Sequence, residues 1–347
     1  MKRALIVLLM LAVAAGGLFA QISFGMSAKS GLRLAYEDDA TFATGNYSFE
    51  FKASAAAKED GKAGAETSFK VARGGTGDVG AYVWLKPSDF ILLGLGTKGP
   101  EGFKSLGKND TSNGVNDSDG FHLKVLEPIA GLNIGLTINP AGVGKKPTDS
   151  TYRAGVALTQ SAFGTAANFS YSGETEVANA AVGFNLRGLP STGLTGFGFD
   201  ASFTNVTKLM DEGTITLGPK FGFKFGDLGA NLSSLVYVPV GAVSELDLLI
   251  DADASYPVAT GVTAKLGARW NKNGAVANTN GTIFAFGSGD VGSGASTEKS
   301  MSLGVQPSLE IAVGSATVVL GYGLHTQIGG ENGATKHMLY TNWSIDF

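Results

Sequence analysis

From about residue 21 to the C-terminus, apolar and polar residues alternate with a period of two. Over 215–225, Ile215, Leu217, Phe221, Phe223 and Phe225 share one face; Thr216, Gly218, Lys220, Gly222 and Lys224 share the other. Val262, Ala264, Leu266, Ala268 and Trp270 likewise oppose Thr263, Lys265, Gly267 and Arg269. This is the pattern of a strand with one apolar and one polar face. No convincing amphipathic helix interrupts it. The alternating segments commonly run 10 to 14 residues, where strands of soluble proteins average about 5 or 6.

Breaks in the alternation fall at Gly, Asn, Asp, Pro and Ser, and they come in two kinds. Long or polar connections lie near 37–46, 73–77, 98–120, 139–150, 172–176, 207–213, 239–244, 271–299 and 328–336. Tighter ones lie near 58–62, 87–89, 127–131, 160–164, 187–192, 226–229, 256–261 and 313–316. Nine loops and eight turns separate 18 strands. Short turns at one end and long loops at the other are the asymmetry of a transmembrane antiparallel up-and-down β-barrel, with an even strand count and both termini on the turn side. The fold class is therefore all-β. Counts of about 16 or 20 stay open, because 281–287 alternates briefly inside the 271–299 loop. A soluble secreted β-protein is the other reading of the alternation, and it would pack the apolar faces inside.

The N-terminus sets the compartment. Met1-Lys2-Arg3 is a short basic stretch, Ala4 to Ala15 is nearly all apolar, and small residues follow to Ala20. This reads as a secretory signal peptide over residues 1–20, although Leu18 occupies a position that usually carries a small residue. Residues 21–347 then form the exported chain. They contain no run of 18 apolar residues that could make a transmembrane helix.

Composition narrows the function. Of the 347 residues, 44% are hydrophobic, 16% are charged and 51 are glycine. Disorder needs the opposite balance of low hydrophobicity and high charge. With 26 basic against 30 acidic residues, there is no electrostatic footprint for nucleic acid. The chain has no cysteine, which removes disulfides, thiol chemistry and cysteine–zinc sites.

The C-terminal strand carries a motif. In Tyr340-Thr341-Asn342-Trp343-Ser344-Ile345-Asp346-Phe347 the chain ends on Phe, with Ile345 and Trp343 at alternate positions before it. With the signal peptide and the alternation over 21–347, this resembles the Gram-negative outer-membrane porin group. The resemblance implies outer-membrane lipid around the barrel and a tail read by the barrel assembly machinery during biogenesis. It allows a homotrimer. It further implies that small hydrophilic solutes and ions pass through, and that the third external loop folds inward as a constriction.

Barrels of 16 to 18 strands enclose an aqueous channel, so the chemistry lies on the polar faces. Alternation puts Lys29, Arg33, Glu50, Lys52, Glu66, Lys70, Lys124, Arg153, Arg187, Lys220, Lys224, Asp247, Asp251, Asp253, Lys265 and Arg269 there. A charge facing lipid at mid-membrane costs up to about 4 kcal/mol, which makes that placement informative. Two readings stand side by side: a field that filters solutes, and cross-strand pairing of the acids Asp247, Asp251 and Asp253 with Lys265 and Arg269 on the next strand. Loop 98–120 is third in order, and Pro100-Glu101-Gly102-Phe103 loosely resembles a porin loop pattern. It supplies Glu101, Lys104, Lys108 and Asp110 as constriction candidates; a solvated external loop is the alternative. Tyr36, Trp270 and Tyr340 near the outer strand ends, and Tyr256 and Trp343 near the inner ones, mark membrane interfaces. Trp84 stays unassigned, because both faces of its strand are apolar.

Other motifs lead nowhere. Gly94, Gly96 and Gly99 fit a dinucleotide fingerprint, but a loop follows where a helix would be needed. Asp110, Asp117 and Asp119 lack calcium-loop spacing. His122, His325 and His337 form no metal-ligand pair. No cofactor and no catalytic site is expected. The leading function is a passive pore, and the alternative is a surface antigen or adhesin displaying loops 98–120 and 271–299.

Overall fold

In a computed structural model of the chain, the described residues are 20–346, apart from 37–39, 45–47, 58–61, 73–76, 97–119, 142–143, 190–192, 210–212, 241–245, 273–300 and 329–334. The N-terminal segment 1–19 and Phe347 fall outside them, and with these the expected signal peptide and the terminal aromatic. So do Glu101, Lys104, Lys108 and Asp110, and nearly all of the 271–299 loop on which surface display would draw.

The chain forms β1 (Ala20–Tyr36), β2 (Ala40–Thr44), β3 (Ser48–Ala57), β4 (Ala63–Ala72), β5 (Gly77–Ser88) and β6 (Ile91–Gly96). It continues with β7 (Gly120–Leu126), β8 (Leu132–Asn139), β9 (Thr151–Thr159), β10 (Phe163–Ser172), β11 (Val177–Leu189) and β12 (Leu194–Thr204). The last seven are β13 (Thr214–Phe225), β14 (Leu228–Pro239), β15 (Asp247–Ala259), β16 (Val262–Lys272), β17 (Met301–Val313), β18 (Ala316–Ile328) and β19 (Thr335–Asp346). Two single-turn 3-10 helices, Pro147–Asp149 and Val206–Lys208, sit in the connections.

Every neighbouring pair is antiparallel, and β1 pairs with β19 to close the sheet. The barrel has 18 staves rather than 19, because β2 and β3 share one. Both pair with β1, β2 along its upper part (Leu32–Tyr36) and β3 along its lower part (Ala20–Lys29). This corrects one expectation: the connection placed at 37–46 contains a paired strand. Five residues too short to show alternation are fixed by pairing with an existing edge. The turn placed at 256–261 is likewise shorter, since β15 runs to Ala259. Closure leaves no unpaired edge, which satisfies the backbone groups of a sheet surrounded by hydrocarbon.

Because alternation has period two, the register fixes which residues face out. The outward set is apolar and solvent-accessible: Leu32, Leu34, Phe49, Phe69, Leu95, Phe121, Leu136, Phe169, Val182, Phe225, Leu266, Leu309, Leu320 and Leu339 are all exposed. A soluble sandwich would bury them. The outward rings of Phe197, Phe221, Phe223 and Phe225 pack in a continuous series, with centroids 5.1 to 6.4 Å apart. Prolines obey the ladder. Pro307 opposes Leu266 on β16, while the pairing with β18 skips Gln306 and Pro307, so the missing N–H falls at a gap in the ladder.

Candidate functional site

The candidate site is the inner face of the wall. The register that turns Phe221, Leu266 and Ile345 outward brings Glu50, Glu66, Lys124, Arg153, Arg187, Lys220, Lys224, Asp247, Asp251, Asp253, Lys265 and Arg269 to inward positions. Backbone pairing gives Lys29, Arg33, Lys52 and Lys70 the same register; their side chains are outside the described set.

Strands β13 to β17 carry a row of charges. Asp251 and Arg269 are direct cross-strand partners. Arg269 donates twice, Nε to Oδ1 at 2.7 Å and Nη2 to Oδ2 at 2.6 Å, with both side chains only 13–15% exposed. The planar guanidinium fork matches both carboxylate oxygens. Asp253 accepts from Asn231 Nδ2 at 2.8 Å, on the other neighbouring strand. Lys265 does not pair with the acids of β15: its Nζ donates to Glu310 of β17 at 2.5 Å. Across β15 it faces Ser255, so no acid on that side lies directly opposite. Glu310 was not among the expected wall residues. Reading β17 by alternation, from Leu303, Val305, Leu309 and Ile311, would have turned it inward.

On β5 to β8 the inner wall sets rings and hydroxyls beside Lys124. Tyr82 and Trp84 stack with centroids 5.7 Å apart, and the His122 ring meets Tyr82 edge-on at 5.7 Å. His122 Nδ1 and Thr137 Oγ1 share a hydrogen bond of 2.9 Å, and both residues are fully buried. A Cβ on Gly64 would collide with the indole of Trp84, and one on Gly94 with the phenol of Tyr82. Each ring therefore lies flat on a neighbouring glycine, and this settles Trp84 as inward. Tyr340 on β19 repeats the device, lying over Gly321 with its hydroxyl accepting from Gln306. Tyr340 is thus an inward, buried residue and not a lipid-interface marker. Trp270, Tyr256 and Trp343 do face outward.

At mid-wall several inward residues are covered: Asp200 is 0% exposed, Lys220 9% and Thr216 4%. Asp200 was missed in the sequence, although the outward run Phe197, Phe199, Ala201 and Phe203 brackets it. Leu235 and Leu249 form an apolar island on the same wall with Tyr237. At the loop end, outside the wall, Lys145 is ion-paired with Glu174. That carboxylate raises the lysine's pKa above its ordinary value, first by the hydrogen bond and then by charge. Nearby, Asn205 N–H donates to Asn179 Oδ1 at 3.0 Å and Thr207 Oγ1 to the Glu176 carbonyl at 3.2 Å, tying three connections together. Among the described residues, no cluster of three His, Cys, Asp or Glu could hold a metal.

No family model and no curated protein matches the sequence. Solved structures do. The chain superposes on Pseudomonas aeruginosa OprD with a TM-score of 0.61 at 13% identity, covering 94% of this chain and 96% of that one. The fold is that of a Gram-negative porin-like outer-membrane barrel. Two further structures share this porin fold over nearly their whole length. P. aeruginosa OpdQ has a TM-score of 0.59 at 11% identity, with 94% and 98% covered. Acinetobacter baumannii OccAB3 has 0.60 at 9%, with 94% and 100% covered. Identity this low carries the porin fold and leaves solute choice to the wall itself.

Proposed function

We propose that the protein is a passive diffusion channel for small hydrophilic solutes and ions in the bacterial outer membrane. One observation carries the reading: a closed 18-stave barrel turns its apolar faces outward and its charged and hydroxyl side chains inward. An apolar exterior suits a hydrocarbon surround, and a polar interior suits water and ions. Because acids and bases are adjacent along β13–β17, their fields partly cancel and ion preference is weak. The wall charges Arg33, Glu50, Lys52, Glu66, Lys70, Arg153 and Arg187 complete the mixed lining, and Glu101, Lys104, Lys108 and Asp110 narrow it from loop 98–120.

Planar-bilayer recording tests this. The purified barrel should conduct, and deleting residues 101–112 should enlarge the single-channel conductance. Replacing Lys220, Lys224 and Lys265 by Gln should shift the reversal potential toward cations. The shift should shrink in strong salt, as the Debye length falls from about 10 Å at 0.1 M to about 3 Å at 1 M. A folded, inserted barrel that never conducts would defeat the channel reading. Insertion in the cell depends on the terminal strand, so removing Phe347 lowers the outer-membrane yield more than it lowers synthesis.

A further inference from the structure

The outer wall is not uniform. Across the closing seam, strands β16 to β19 and β1 form a shallow, open groove of about 710 Å³. It runs between two outward rows, and these are low where Ala264 on β16, Pro307 on β17 and Thr341 on β19 turn short side chains outward. Its flanks are high because Leu32, Leu34, Leu309, Leu320 and Leu339, all exposed, rise around them. Lys265, Ser308, Gly321 and Tyr340 contribute the intervening floor, and their inward register keeps their polar groups out. The groove is therefore apolar along its length.

One end differs. Tyr322, a groove residue on β18, bonds through its hydroxyl to His337 Nδ1 at 2.5 Å. His337 faces outward one step above Leu339, two residues inside the loop end of β19. The loop-side flank of the groove thus carries a phenol tied to an imidazole one step nearer the strand ends, on the side where lipid headgroups lie.

We propose that this groove seats one acyl chain of an outer-membrane lipid, with the lipid's polar headgroup against Tyr322 and His337. The match is of amphiphile to amphiphile: leucine flanks bury a thin, flexible chain without leaving a polar group unpaired, and the one donor that the Tyr322–His337 pair keeps free meets the headgroup. A second copy of the protein is the rival occupant. It would bring another leucine-ridged wall, which is too broad to enter a floor set between ridges. The proposal rests on the outward face lying in lipid, and stands whether or not the lumen conducts.

The test is native mass spectrometry of the purified full-length barrel in detergent, titrated with palmitoyl-oleoyl phosphatidylglycerol. The parent should retain one lipid at concentrations where further binding is negligible. Filling the groove with Ala264→Phe plus Thr341→Phe should weaken that binding about tenfold, and His337→Ala should weaken it less. Ala167→Phe, outward on β10 across the barrel, should leave it unchanged. Heat-modifiable migration reports folding; should the double variant fail to fold, Thr341→Leu alone should still weaken retention. Undiminished retention in the folded groove-filling variants would overturn the proposal. So would an equal loss in Ala167→Phe, or a lipid-free dimer that Thr341→Leu abolishes.

Discussion

On β13–β17 the inner wall is a run of charges held in partnerships: Arg269 with Asp251, Lys265 with Glu310, Asn231 with Asp253. On β5–β8, across the lumen, rings and hydroxyls dominate around the cation Lys124, with Tyr82 and Trp84 seated on Gly94 and Gly64 and His122 bonded to Thr137. Both halves turn an apolar face to the outside, and both are built on the same ladder. They differ in how a polar interior is made rigid. One uses electrostatic matching across neighbouring strands. The other uses ring-on-glycine packing, which covers the exposed backbone of a glycine in a strand. The charged wall meets a solute with alternating signs, and the ring wall adds shape beside the positive charge of Lys124.

Breaking the bidentate pair should have the largest effect. Asp251→Ala removes both carboxylate acceptors of the Arg269 fork in a site about 15% exposed. A fully buried pair would cost ~3–5 kcal/mol when broken; lumen water lowers this to about 2 kcal/mol. Asp251→Asn combined with Arg269→Gln should recover most of it, as read by urea unfolding of the detergent-folded barrel. If the single and double variants are equally destabilised, the matching account of this half is wrong.

A step smaller, the ring half should respond to bulk instead of charge. Gly94→Ala drives a methyl into the Tyr82 phenol, and overpacking costs about 1–2 kcal/mol. Tyr82→Ala should suppress that cost in a double-mutant cycle, and Trp84 fluorescence should report the displaced ring. Additive losses would show that the phenol and the glycine do not share a seat.

Exposed pairs come last. Lys265 and Glu310 are 42% and 35% exposed, so Glu310→Gln should cost less than about 1 kcal/mol. It should change the reversal potential more than the stability. At the loop end, Lys145 is held above its ordinary pKa of 10.5 by Glu174. A raised cation pKa contributes stability that is fully present below 10.5 and is lost as pH rises through the shifted value. Glu174→Gln should return the Lys145 titration, followed by side-chain NMR, to its ordinary position. An unmoved titration would mean that the pair does not persist in solution.

The strand count and the two faces were legible in the sequence, because a period of two over long segments fixes register wherever one face must be apolar. Three features were not. Ala40–Thr44 is too short to reveal a period, and only its partner β1 defines it. The side of Trp84 was hidden because both faces of its strand carry apolar residues, and only the pairing with Gly64 shows which face has room for an indole. The partner of Lys265 was misread because β15 offers Ser255 opposite it, while the acid lies one strand further on. Alternation assigns faces, but ion pairs also depend on register, and register depends on where each turn ends.

The central claim is that adjacent residues on one strand look into water and into lipid. The absence of native cysteine allows a clean test at Lys265, inward, and Leu266, outward and 50% exposed. Lys265→Cys and Leu266→Cys barrels in planar bilayers should be treated with a charged, membrane-impermeant thiol reagent during single-channel recording. The account predicts a stepwise conductance change for the substitution at 265 and none at 266. Reaction at 266 with silence at 265 would contradict it.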